Sequence, residues 1–87
     1  MKLEKNEIVK EIINNLKSEI EDSRNNFNVA QDKARKDICW GEIVGFRTAL
    51  FIIQRTILTW HPHDTDEEEH AILKSFDLDF DIDEKYL

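Results

Sequence analysis

Three histidines and ten acids crowd into residues 61–87, and these are the side chains whose types could do chemistry. His61-Pro62-His63 and His70, with Asp64 and Asp66 nearby, offer the imidazole and carboxylate ligands that zinc accepts. Their spacing follows no zinc-site pattern. Cys39 would make an attractive fourth ligand, but it lies about 32 Å from Trp60 along a helix rising 1.5 Å per residue, so only an antiparallel partner chain would bring it near. His61, His63 and His70 are therefore expected to serve the loop that carries them, and no metal or other cofactor is expected. Cys39 sits on an apolar seam, where a thiol is structural and inert rather than nucleophilic.

The most distinctive run is Asp77-Leu78-Asp79-Phe80-Asp81-Ile82-Asp83-Glu84, in which acid and apolar residues alternate. A period of two predicts an extended chain with Leu78, Phe80 and Ile82 on one face and the aspartates on the other, either laid across the helices or disordered, or else serving as an acidic recognition segment that adds to a partner or a second copy. It is no calcium loop: an EF-hand needs Gly sixth and Glu twelfth, whereas Ile82 stands sixth and the sequence ends at Leu87. There is no Gly-rich phosphate loop, no recognisable Ser-His-Asp set, and no carboxylate pair among apolar residues. The chain is read as a non-enzyme: a binding module or a structural oligomer.

The elements that must position these residues follow from composition and periodicity. An 87-residue chain has room for one domain, and two glycines and one proline favour helices over turn-rich β structure. The centre is Ile38–Trp60. Cys39, Ile43, Phe46, Leu50, Ile53, Ile57 and Trp60 recur at steps of four and three, one face of a helix. A second seam runs through Trp40, Val44, Phe51 and Leu58. A third is small: Ala34, Ile38, Gly41, Gly45, Ala49 and Ile52. Gly41-x-x-x-Gly45-x-x-x-Ala49 would let another backbone approach closely, either the first helix or a second copy. In both cases Gly45→Leu should overpack the contact.

The spacing predicts a first helix from Asn6 to about Arg24, with Ile8, Val9, Ile12, Ile13, Leu16 and Ile20 as its apolar stripe. A turn follows around residues 24–28, with Asn28 and Gln31 as a capping pair, although apolar spacing through Phe27, Ala30 and Ala34 also allows one unbroken helix from 6 to 60. The central helix then spans Val29–Trp60 and ends at Pro62. Its roughly 48 Å would outrun the first helix's roughly 28 Å and leave one end uncovered. Thr65-Asp66-Glu67-Glu68 is a capping box that opens a short third helix to about Ser75. The expected architecture is all-α: a helical hairpin with one long central helix, a short third helix and an extended acidic C-terminal tail, divided as a 1–76 helical domain and a 77–87 tail. Because so much of the central helix is apolar, a homodimer or higher oligomer is expected, with Trp40, Gly41, Val44, Gly45, Phe51 and Leu58 at the interface.

The net charge of -7 is unevenly spread, +1 over residues 1–60 and -8 over residues 61–87. Such a chain should avoid nucleic acid, whose phosphates dominate binding, and suits a basic protein surface. The expected partner-binding residues are Asp66, Glu67, Glu68, Glu69, Asp77, Asp79, Asp81, Asp83 and Glu84. Glu42, Arg47 and Arg55 interrupt the apolar run, which argues against a membrane span. The N-terminus shows no secretory signal, and a lone Cys suits a reducing cytoplasm, the expected compartment.

In overall character, a small, acidic, cysteine-poor helical chain rich in Lys, Asn and Ile, the sequence resembles the accessory proteins of bacteriophages and mobile elements, and among them anti-CRISPR proteins. The resemblance covers the whole chain and rests on no motif, so it carries over no functional residue. It implies an inhibitor that sets acids on a helical scaffold against the basic surface of a nucleic-acid-handling host enzyme such as an RNA-guided nuclease, acting in the host cytoplasm. A structural or regulatory homo-oligomer of phage origin is the alternative.

Overall fold

A computed structural model describes residues 5–86 and shows four helices, with no strand among the described residues. α1 spans Lys5–Val29, α2 Lys33–Trp60, α3 Asp66–Lys74 and α4 Ile82–Lys85. α1 and α2 form an antiparallel hairpin, and α3 and α4 pack on α2. The molecule is flat, with Cα extents of 47 × 35 × 15 Å.

The hairpin forms because each long helix has one heavily apolar stripe. α1 buries Ile13 and Ile20 completely, and α2 sets Cys39, Ile43, Leu50 and Ile57 against it at the expected four-and-three spacing. Burying an aliphatic side chain of this size contributes about 1.5–3 kcal/mol. One polar tie crosses the pair: the buried Ser23 hydroxyl donates to Glu42 Oε2 at 2.9 Å.

The hairpin turn corrects the sequence reading in two ways. The chain is neither one helix from 6 to 60 nor broken at Arg24–Asn28, because α1 continues through Val29. The break falls at residues 30–32, where Asp32 caps α2 by accepting from the Arg35 backbone N–H at 2.7 Å. Phe27, in the last turn of α1, packs on Trp40 of α2 with ring centroids 6.4 Å apart, while Asn28 and Gln31 do no capping. At its other end α1 already includes Lys5 and Asn6, so Asn6 is no cap. With 25 and 28 residues the two helices nearly match, so the expected mismatch in length does not arise. What stays open on α2 is a side.

The C-terminal segment departs furthest from expectation. α3 starts as predicted, with Thr65 accepting from the Glu68 N–H at 3.1 Å, while Glu68 Oε2 accepts from Asp64 N–H at 2.9 Å. The helix ends at a left-handed residue, Asp77 (φ 57°), across which Leu78 N–H reaches Leu73 O and Asp77 N–H reaches Lys74 O. That is a Schellman stop with Asp where Gly is usual. The chain then lies across the hairpin, as a tail docked on the helices would, but it is helical rather than extended over Ile82–Lys85. Asp81 caps α4 by accepting from Glu84 N–H, so Ile82–Lys85 is helical. The period of two gives way to a period of four: Leu78, Ile82 and Tyr86 are 0%, 2% and 2% exposed and share one core with Ile13, Ile20, Ile43, Leu50, Ile57, Leu73 and Phe76.

Candidate functional site

Three side chains of the hairpin hold residues 77–86 by their backbone carbonyls. Lys17 Nζ donates to Asp77 O at 2.6 Å. Gln54 Nε2 donates to both Leu78 O and Phe80 O, at 2.9 and 3.2 Å. Arg47 Nη1 donates to Tyr86 O at 3.1 Å. Carbonyls that no helix ladder satisfies thus find partners, as buried backbone must. Lys17 and Lys85 also lie over the Phe80 ring, 5.2 and 4.4 Å from its centroid. Burial pulls the Lys17 ammonium below its ordinary range, and the Lys85 charge adds to that. Burial likewise pushes the Tyr86 phenol up, with Glu21 reinforcing it.

Fixing the apolar residues inward fixes the acids outward. Asp77, Asp81, Asp83 and Glu84 are exposed and Asp79 is half-buried; on α3, Asp66, Glu67 and Glu68 are exposed and Glu69 is half-buried. Acids from the two stretches meet at one shallow cleft of about 360 Å³, where Asp66 and Glu69 face Asp79 and Asp81 over a floor that includes Leu58, Leu73 and Phe80. Glu67, Glu68, Asp77, Asp83 and Glu84 lie outside that cleft. Asp83 turns toward Arg47, its Oδ1 3.9 Å from Nε. That Nε is buried with no hydrogen-bond partner among the described residues, while the guanidinium stacks 5.7 Å from the Trp40 centroid.

The histidines serve separate local contacts. His61 Nδ1 lies 2.7 Å from Ile57 O and its ring meets Phe76 edge-on; His63 Nδ1 lies 2.9 Å from His61 O. His63 faces Glu69 at 3.6 Å and His70 faces Asp79 at 3.5 Å, so two of the cleft acids carry a histidine neighbour. Among the described residues, no three His, Cys, Asp or Glu side chains come together as a metal site. Cys39 is buried against α1.

The expected interface residues separate. Leu58 packs against the core and lines the acidic cleft, and Val44 is half-buried. Trp40 lies between Phe27 and Arg47, and Phe51 is exposed beneath Arg55. Gly41 and Gly45 are exposed, and a Cβ on either would meet nothing within 4 Å. The small groove is therefore no contact with α1, and within one chain Gly45→Leu overpacks nothing. Sequence reasoning missed Lys17, Gln54 and Arg47 as the holders of the C-terminal segment. In the sequence, Arg47 and Gln54 fall at the two gaps in the seam Trp40, Val44, Phe51 and Leu58.

No described helix is long and apolar enough to cross a membrane. No known protein family, curated protein or solved structure matches the chain.

Proposed function

We propose that the chain is a non-enzymatic binding module that sets its acidic face against the basic, nucleic-acid-binding surface of a partner protein, in the manner of an inhibitor of an RNA-guided nuclease. The observation that carries this reading is the convergence of Asp66 and Glu69 with Asp79 and Asp81 at one cleft, on a segment whose apolar residues are locked in the core. Acids held on a folded scaffold lose little freedom on binding, and clustered like charge speeds association with a surface of opposite sign. The same charge repels nucleic acid, so the partner's basic groove, not its nucleic acid, is the target. The reading also places the protein in the cytoplasm of a host cell.

The test is a titration of the chain into DNA-cleavage reactions of a panel of guide-loaded RNA-guided nucleases at several salt concentrations. Inhibition that weakens with salt and is relieved by excess target DNA supports the reading. No inhibition of any member, with no binding at low salt, refutes it. A second reading, a structural or regulatory homo-oligomer, draws on a different observation, the exposed apolar residues of α2.

A further inference from the structure

α2 carries two heptad seams on opposite sides, and only one is covered by the described residues. The covered one faces α1. The open one runs Ala34, Ile38, Gly41, Gly45, Thr48, Ile52, Arg55 and Thr59, again at four-and-three steps. Ile38 is 63% exposed and Ile52 57%. Beside this seam, an apolar groove of about 480 Å³ opens between α1 and α2, walled by Val9, Ile12, Ile52, Ile57 and Trp60. Trp60 is 78% exposed. In a molecule 15 Å thick at the Cα level, none of the described residues comes within 4 Å of where a Cβ at Gly41 or Gly45 would stand on this side of α2.

We propose that a second copy of the chain covers this side, forming a two-fold homodimer in which the α2 helices pack antiparallel about an axis between Phe46 and Arg47. This goes beyond the acidic-face reading and does not depend on it.

The self-complementarity of the seam argues for a second copy. An antiparallel two-fold at that point sets Gly45 opposite Thr48, Gly41 opposite Ile52, Ile38 opposite Arg55 and Ala34 opposite Thr59. Three of the four pairings match a small residue with a larger one. In the fourth, the aliphatic stem of Arg55 covers Ile38, as long basic side chains do over apolar surface. The charges agree with the same register. Asp37 and Arg55 share one flank of the helix, and the two-fold carries the Arg55 guanidinium of each copy to Asp37 of the other. On the opposite flank, Ile38 of the second copy arrives beside Thr56, at the mouth of the apolar groove. Close approach is open to the backbones because a Cβ at Gly41 or Gly45 meets nothing of its own chain. The choice of face also fits the electrostatics. In a chain of charge -7, Arg55 is the sole charged residue of the seam, so two copies meet here without opposing their acidic faces.

Light scattering on the whole chain at micromolar concentration, repeated with variants, tests the proposal. The wild-type mass should be twice 10.3 kDa. Gly45→Leu fills open space within its own chain but strikes Thr48 of the second copy, so it should yield a monomer whose helical circular dichroism is unchanged. Ile52→Glu should do the same. Arg55→Asp should weaken the dimer severalfold by setting carboxylates against Asp37, and adding Asp37→Arg should restore it. Monomeric wild type overturns the proposal, as does a dimer that both Gly45→Leu and Ile52→Glu leave intact. A dimer that loses affinity with Arg55→Asp but does not regain it with Asp37→Arg overturns the antiparallel register.

Discussion

Residues 77–86 hold five carboxylates in ten positions, and the open seam of α2 holds one charge in eight. On polarity alone the seam should be core and the segment should be surface. The structure has Leu78, Ile82 and Tyr86 in the core and Ile38 and Ile52 outside it. Side-chain size explains the reversal. Leu, Ile and Tyr at a four-residue spacing give a compact chain something large to bury. Gly41, Gly45 and Thr48 give little, because apolar burial scales with area removed from water.

The sharpest way to break this contrast is to truncate the buried side. Leu78→Ala or Ile82→Ala should lower stability by about 2–5 kcal/mol, the range for a large-to-small core change. Ile38→Ala, measured where the chain is monomeric, should stay within about 1 kcal/mol. Urea unfolding reads both. A Leu78→Ala variant as stable as wild type would mean that the segment does not fold onto the hairpin.

Next in size is the clip. Gln54→Ala leaves the Leu78 and Phe80 carbonyls without their donor and should cost about 1–3 kcal/mol. The loss should show first as faster amide exchange after residue 77. Uniformly faster exchange would instead make the segment one unit with the rest.

These two predictions mark where the sequence was legible. The α1-facing seam of α2 from Cys39 to Ile57, the all-α class, the Thr65 cap and the stop at Pro62 are local or periodic signals, and each stands in the structure, whereas Trp60, the last member expected on that seam, is exposed. Asp32 as the α2 cap was equally local, but Asn28 and Gln31 masked it by offering a competing box. The C-terminal segment was not legible, because Leu78-x-Phe80-x-Ile82 satisfies a period of two while Leu78, Ile82 and Tyr86 satisfy a period of four. Only the hairpin's receiving groove, with Gln54 and Arg47 at its edges, selects the second. Of the nine acids named as partner-binding residues, seven are exposed and Glu69 and Asp79 are half-buried, whereas the cleft that joins Asp66 and Glu69 to Asp79 and Asp81 depends on that same docking.

Asp32→Ala should remove the cap of α2 and cost about 1 kcal/mol, while Asp32→Asn, which caps as well, should be nearly neutral. Equal losses in the two variants would point to charge rather than the hydrogen bond.

A smaller effect comes with alkali. The folded Tyr86 phenol titrates above its ordinary 10.0, so its contribution is fully present below that value and is lost as pH rises through the folded pKa. Lys17 acts in the opposite sense: lowered from 10.5, it favours the fold above that value and loses this as pH falls through its folded pKa. The two groups act against each other near pH 10, so the readout is the difference between variants: Tyr86→Phe, which removes only the phenol, should lose less stability than wild type as pH rises above about 10. An identical alkaline profile in Tyr86→Phe would contradict the burial of that ring.

The most direct measurement joins scaffold and function: thermal melting, and affinity against salt for a guide-loaded RNA-guided nuclease that the wild type inhibits, with Asp77, Asp79, Asp81 and Asp83 all replaced by Asn. Asparagine suits each backbone role, since it tolerates the left-handed conformation at Asp77 and caps helices as well as Asp81 does. The expected result is a melting temperature within a few degrees of wild type, slower association, and a shallower dependence on salt, because the charges removed, three exposed and Asp79 half-buried, are screened over about 8–10 Å at physiological ionic strength. Wild-type affinity at every salt concentration, in a variant that melts like the wild type, would contradict the claim that the folded C-terminal segment presents its acids to a basic partner.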